Sequence, residues 1–328
     1  MAMSKRETGS VASRFGEETV EQSRIENPPV GAKQENEARN PLRDAGDSVR
    51  ELLGNQVVSQ EVRPLVSPSH MGKWVSRTAE ATHGGALIVN ADDWGRDRQT
   101  TDRTLECIFK RAVSSVSAMV FMEDSERAAG LARTWTIDTG LHLNFTTPFS
   151  GPNVPAKLAE QQREVAGYLG RHRLAQVVFN PWLARSFQYV LAFQVDEFCR
   201  LYGTRPERFD GHHHMHLCAN VLLGGLLPVG TVVRRNFSFR AGEKSAGNRY
   251  YRQAVDYLLA RRHRVADFFF SLPPLEPVAR LRRIFSLARQ HVVEVETHPI
   301  KENEYRFLAE GKIFECVQHL PVSACFAE

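Results

Sequence analysis

From residue 85 onward, short apolar runs alternate with longer amphipathic segments, and this alternation constrains the fold of the 328-residue chain more than any other feature. A short apolar run bounded by turn residues fits a buried strand, and an amphipathic stretch fits a helix covering a sheet. Seven candidate strands can be marked: 86–90, 115–121, 139–145, 207–211, 231–237, 265–272 and 291–297. Helical stretches fall between most of them, which predicts an α/β fold built on parallel strands. The best-marked helix is 183–202, where Phe187, Val190, Leu191, Gln194, Val195, Phe198 and Leu201 recur near the helical period before Gly203 and Pro206 end it. Residues 148–181 carry "PFSGPNVP" and a polar middle, which predicts a loop or lid beside a cleft.

Residues 1–80 read differently. They are rich in Glu, Asn, Arg and Pro and poor in aromatics, so they bury too little apolar surface to offset the entropy of ordering. A disordered polar leader is expected there, with at most a short helix around 48–58, and a single functional domain over 81–328. Five scattered cysteines without a C-x-x-C pair are expected to be reduced thiols in a cytoplasmic protein. A net charge of +4 without a basic block argues against nucleic acid. No run reaches the roughly 18 to 20 apolar residues of a membrane span.

In parallel β/α architectures, ligands sit at the carboxyl ends of the strands. The first candidate strand ends in Asn90, Asp92 and Asp93, the third carries His142, and the last ends in Glu296 and His298. The fourth runs into four histidines, His212, His213, His214 and His216, directly after Asp210 and Gly211. Each piece alone has an ordinary reading: an aspartate pair caps a helix, a lone histidine packs in a core, and a histidine run sits in a solvated loop. Four such accidents at one rim are improbable together. Imidazole and carboxylate suit Zn²⁺, Co²⁺, Ni²⁺, Mn²⁺ or Mg²⁺, and three protein ligands leave a position for an acidified water. Of two adjacent aspartates, one can bind the ion while the other accepts a proton.

The ordered set "LIVNADDWG", "GLHLN", "FDGHHHMH" and "VEVETHP" resembles the YdjC-like carbohydrate deacetylases over about residues 85–310. The resemblance implies a distorted seven-stranded TIM-like (β/α) barrel. It also implies hydrolysis of the acetamide of N-acetylated amino sugars, free in oligosaccharides or linked to glycolipids, with a divalent metal such as Mg²⁺ or Zn²⁺. Carried over by position, it makes Asp93, His142 and His212 the metal ligands, Asp92 the base, and His298 the acid or transition-state stabiliser. His214 and His216 fall around the ligands or in the sugar pocket, and Arg234 matches a family arginine loosely. If the strand continued past Gly211, His212 and His214 would share a face; if a helix began there, His212 and His216 would. Gly211 stands where serine is common in the family, and Trp94 where phenylalanine is common. The resemblance implies an N-acetylated sugar as partner and leaves room for a homodimer. A metal phosphoesterase and a catalytically silent sugar- or metal-binding protein are the competing readings; Asp92 and His298 argue against the silent one, since holding an ion needs neither.

Overall fold

The computed structural model describes residues 85–171, 173–239 and 243–317. The expected leader and its short helix lie outside these residues. All seven expected strands form: β1 (Ala86–Trp94), β2 (Ser115–Ala118), β3 (Thr139–Leu143), β4 (Arg208–Gly211), β5 (Val232–Val233), β6 (Phe268–Ser271) and β7 (Val292–Thr297). They make one sheet in the order β5-β4-β3-β2-β1-β7-β6, parallel at every pairing. The sheet curls into a half-barrel whose edge strands also bond to neighbouring segments. Val233 N–H donates to the Arg264 carbonyl at 2.9 Å, and Ser238 N–H donates to the Phe269 carbonyl at 2.8 Å.

The helices are α1 (Arg98–Phe109), α2 (Ser125–Trp135), α3 (Ala156–Arg171), α4 (Ala184–Tyr202), α5 (Ala219–Leu223), α6 (Ala246–Ala260), α7 (Val278–Leu287), α8 (Glu302–Ala309) and α9 (Lys312–Val317). Helix α4 forms as the spacing predicts, and Gly203 closes it in a left-handed conformation (φ 75°) with its N–H on the Cys199 carbonyl. Helix α3 departs from expectation, because much of the segment read as a loop is a 16-residue helix. Its buried positions are Leu158, Gln162, Val165 and Leu169, and the polar Gln162 interrupts the apolar period that would have announced it. Gln162 is buried because its amide nitrogen donates to the Asn144 and Thr147 carbonyls.

Successive strand residues face opposite sides, and the two faces here differ in chemistry. Val89, Val116, Leu141, Leu143, Phe209, Val293 and Val295 join the apolar core. Burying such a side chain contributes about 1.5–3 kcal/mol. The intervening residues Asn90, Ser115, Ser117, Arg208 and Asp210 are also buried, and they are polar. Cross-strand hydrogen bonds satisfy them: Asn90 donates to Ser117 at 2.7 Å, Ser115 donates to Asn90 at 2.8 Å, and Arg208 donates to the Val116 carbonyl at 2.9 Å. Gly140 on β3 makes room for that arginine, since a Cβ there would lie 2.8 Å from Arg208 Nε. The four described cysteines are free thiols.

Candidate active site

The polar face leads to the carboxyl ends of the strands, where the expected residues gather. Adjacent residues on a regular strand would point to opposite faces, so Asp92 and Asp93 could not serve one site. The register of β1 against β2 shifts between Ala91 and Trp94, and Asp93 adopts φ 66°, uncommon for a non-glycine residue. This bulge re-aims the pair. Asp93 and Asp92 each belong to a three-residue group of metal-capable atoms, and both groups contain His142.

The first group is Asp93, His142 and His212, all buried, with ligand-capable atoms within 4.8 Å of one another. Asp93 Oδ1 lies 2.9 Å from His212 Nδ1 and 3.4 Å from His142 Nε2. Arg96 holds the other oxygen, Oδ2, at 3.1 Å, so one oxygen faces the imidazoles. His142 sits opposite Asp210 in the β3–β4 register, which places its Nδ1 2.8 Å from Asp210 Oδ1. A carboxylate on the far nitrogen fixes the tautomer and ring orientation of a metal-binding histidine. Burial pulls the His142 pKa down, but Asp92 and Asp210 outweigh it and hold it up to about 10, a setting that favours a cation at this point. Burial opposes the Asp93 charge, yet the two histidines hold its pKa well below the usual range. Two imidazole nitrogens and one carboxylate oxygen fit a divalent ion with open positions.

Asp92 is occupied differently. Arg234, just past β5, donates to both of its oxygens at 2.7 and 2.8 Å, and Asn90 donates to Oδ1 at 2.8 Å. Burial raises the Asp92 pKa, but Arg234 and His142 bring the balance below the ordinary value. With both oxygens engaged, Asp92 fits metal ligation less well than Asp93 does. Arg234 is itself held by Asp210 at 2.9 Å and Glu294 at 2.7 Å, so its loose family match becomes a central contact. Asp210 and Glu294 were absent from the expected site. Glu294 had a signal in alternation, since it stands two before Glu296 on β7 and shares its face; Asp210 had only its place at the strand end before the histidines.

The histidine cluster follows neither continuation considered for it. His213 and His214 take left-handed conformations (φ 54° and 58°) inside a short 3-10 stretch, so its side chains diverge, with His212, Met215 and His216 buried. His212 reaches Asp93. The ring of His214 meets Phe237 edge-on, centroids 4.7 Å apart, and its Nε2 lies 3.6 Å from Glu296 Oε2. His216 is fully buried with Nε2 2.9 Å from the Arg234 carbonyl oxygen. Burial lowers the His214 pKa to about 3 and the His216 pKa to about 4, so both are neutral near pH 7. Gly211 allows this turn, because a Cβ at that position would lie 3.0–3.2 Å from His216 atoms. His298 follows β7 with its N–H on Glu304 at 2.9 Å, and its Nδ1 is buried without a partner. Burial lowers its pKa against the raising effect of Asp92 and Asp93. Glu296 also keeps a buried Oε2 without a hydrogen bond, 3.6 Å from Arg234 Nη1, and burial together with the Asp92 charge pushes its pKa well up. Beside the cluster lies a cavity of about 180 Å³, lined among others by Gln176, His214, Phe237, Tyr251 and Arg252.

A parallel half-barrel with metal-capable Asp and His groups at its carboxyl rim defines a class of β/α proteins, and comparison with known proteins makes that class specific. The chain belongs to the family described as YdjC-like protein, which matches residues 86–315. It is 24% identical over 223 residues to the carbohydrate deacetylase of Enterococcus faecalis (strain ATCC 700802 / V583), covering 65% of this chain and 80% of that one. It is 30% identical over 131 residues to the chitooligosaccharide deacetylase of Proteus mirabilis (strain HI4320), covering 40% of this chain and 50% of that one. It is 32% identical over 143 residues to the carbohydrate deacetylase of Homo sapiens, covering 41% of this chain and 42% of that one. A crystal structure of an Enterococcus faecalis V583 protein shares the fold, with TM-score 0.55, 19% identity, and coverage of 74% of this chain and 97% of that one.

Proposed function

We propose that the chain is a metal-dependent carbohydrate N-deacetylase, a hydrolase of the acetamide bond of N-acetylated amino sugars. The observation that carries the reading is the division of labour between adjacent aspartates, with Asp93 facing two imidazoles and Asp92 clamped by Arg234. The carbohydrate deacetylases named above support it. In this reading Asp93, His142 and His212 hold the ion, which when bound acidifies a water and polarises the acetamide carbonyl. Asp92, kept ionised by Arg234, accepts the proton. His298, neutral at rest, would pass to the departing amine the proton that the attacking water gives up to Asp92, so that the proton released is the proton consumed. His214 shares a cavity wall with Phe237, where a sugar ring can lie against an aromatic face. The functional domain is 81–328, with residues 1–80 outside it, in a cytoplasmic protein. Among the described residues, no helix is long and apolar enough to cross a membrane.

Acetate release from N-acetylated chitooligosaccharides, measured with and without added divalent metal, tests the reading. Metal-stimulated release is the expected result. Release that is absent across free and lipid-linked N-acetyl sugars with every metal tried refutes it.

A further inference from the structure

Ten of the thirteen exposed large apolar side chains among the described residues fall in three segments, 174–182, 223 and 250–258. Two of these segments border one opening, since Gln176 from the first and Tyr251 from the third both line the cavity beside the histidine cluster. The remaining segment, at 223, is tied to the first close by. Leu223 ends helix α5, which carries Asn220, and Asn220 exchanges two hydrogen bonds with the backbone of Asn180 at 2.9 and 2.8 Å.

The segment 174–182 is ordered by more than those two bonds. Tyr168 donates to the Val178 carbonyl at 2.9 Å, and the Asn180 side chain accepts from Trp182 N–H at 3.1 Å. Held in this way, it presents Leu174, Val177, Val178 and Phe179 outward, and Trp182 is 88% exposed. Helix α6 adds a second apolar stripe. Its inward residues are Val255 and Leu259, yet Tyr250 and Tyr251, and Tyr257 and Leu258 two turns further on, are exposed. Monomeric proteins rarely gather apolar side chains in this way without a partner for them.

Basic residues outnumber acidic ones in these stripes, with Asp256 within them and Glu164, Asp196 and Glu243 at their ends. Residues 165–195 contain Arg171, Arg173 and Arg185 and no acid. From Lys244 to Arg262 there are five basic residues against one acid, Asp256, which is already paired with Arg235 at 2.8 Å. Aromatic and aliphatic side chains projecting among basic residues match a boundary that is apolar within and anionic at its surface. We infer that this face docks on an anionic lipid bilayer, with segment 174–182 and the outer stripe of α6 seated at the headgroup level and the cavity opening toward the lipids. If the deacetylase reading holds, the sugars presented to the site are glycolipid headgroups.

The test is flotation of the full chain with vesicles of phosphatidylcholine alone or with about one-third phosphatidylglycerol. The expected result is binding to the anionic vesicles only, reversed by high salt. Each arginine near such a surface is worth about fivefold in binding, so Arg171→Glu with Arg185→Glu lowers it at least about tenfold. Trp182→Ser with Tyr250→Ser abolishes it, while acetate release from a soluble oligosaccharide stays unchanged in both variants. Flotation is read without turnover, so loss of the deacetylase reading leaves the docking result standing, and the reverse. Absence of binding to anionic vesicles overturns the inference, as does undiminished binding by the Trp182/Tyr250 variant. A stable dimer that this variant dissociates, with no flotation, overturns it in favour of a second copy of the chain.

Discussion

Binding of a divalent metal to this protein at pH 8 should release about one proton. Five buried carboxylates, Asp92, Asp93, Asp210, Glu294 and Glu296, each no more than 4% exposed, face two buried guanidiniums, Arg208 and Arg234. That leaves three negative charges without a buried cation. In the metal-free protein His142 offsets one of them, because the surrounding carboxylates hold its pKa up to about 10 and it is protonated at pH 8. Burial and the Asp92 charge push the Glu296 pKa well up, which weakens the negative charge at that position. A metal ligand must be neutral imidazole, so the ion displaces the His142 proton and brings two charges of its own. The two charges of the ion would then stand among the carboxylates that hold the His142 pKa up. The sign follows directly: a proton competes with the ion, so affinity rises by about tenfold per pH unit from pH 7 toward pH 9 and levels near the His142 pKa. Titration calorimetry in two buffers of different ionisation enthalpy reads the released proton from the difference in apparent heats. Equal heats in both buffers, or an affinity independent of pH across that range, would refute the argument.

Four further outcomes are expected. Asp93→Asn should lose both metal and turnover, whereas Asp92→Asn should keep its metal and lose about 10² to 10⁴-fold in acetate release; metal analysis beside rate measurement decides, and an emptied Asp92→Asn site would reverse the roles. His298→Ala should likewise keep metal and lose turnover, and full activity in that variant removes it from the chemistry. Asp210→Asn, which takes the carboxylate from His142 Nδ1, should weaken metal binding about 10 to 100-fold; unchanged affinity in calorimetry would show that the contact does not orient the ligand. Deleting residues 1–75 should leave metal content and rate nearly unchanged, and loss of soluble protein on deletion would refute the domain boundary.

The seven strands were legible because their apolar runs are short and bounded, and α4 because its apolar spacing is uninterrupted up to Gly203. Helix α3 was not, since Gln162 occupies a core-facing position and is satisfied only by backbone groups of a distant loop. Asp92, Asp93, His142 and His212 were legible as a rim because topology sends every parallel strand end to one side. What lies behind them was harder to read. Arg234 stands in "VVRRN", where nothing in the local pattern separates it from Arg235. The structure buries Arg234 among Asp92, Asp210 and Glu294 and leaves Arg235 on Asp256 nearer the surface.

Two backbone features decide the site and neither is marked by a glycine, although Asp and His tolerate positive φ better than most residues. Asp93 and the two histidines after His212 all take positive φ without being glycine. Such conformations cost of order 1–3 kcal/mol each and persist where surrounding contacts over-determine them. Asp93 is fixed by His212, His142 and Arg96, and the turn at His213 and His214 by burial of Met215 and His216 beyond it. Had β1 stayed regular, one aspartate of the pair would face the helices and the apolar core, where an unpaired carboxylate is costly. The bulge removes that conflict by giving both polar partners, the His142 and His212 rings for one and the Arg234 guanidinium for the other. The same local departure from strand geometry therefore makes an adjacent acidic pair compatible with a buried sheet and gives its two members different partners, which is the condition for their taking different roles.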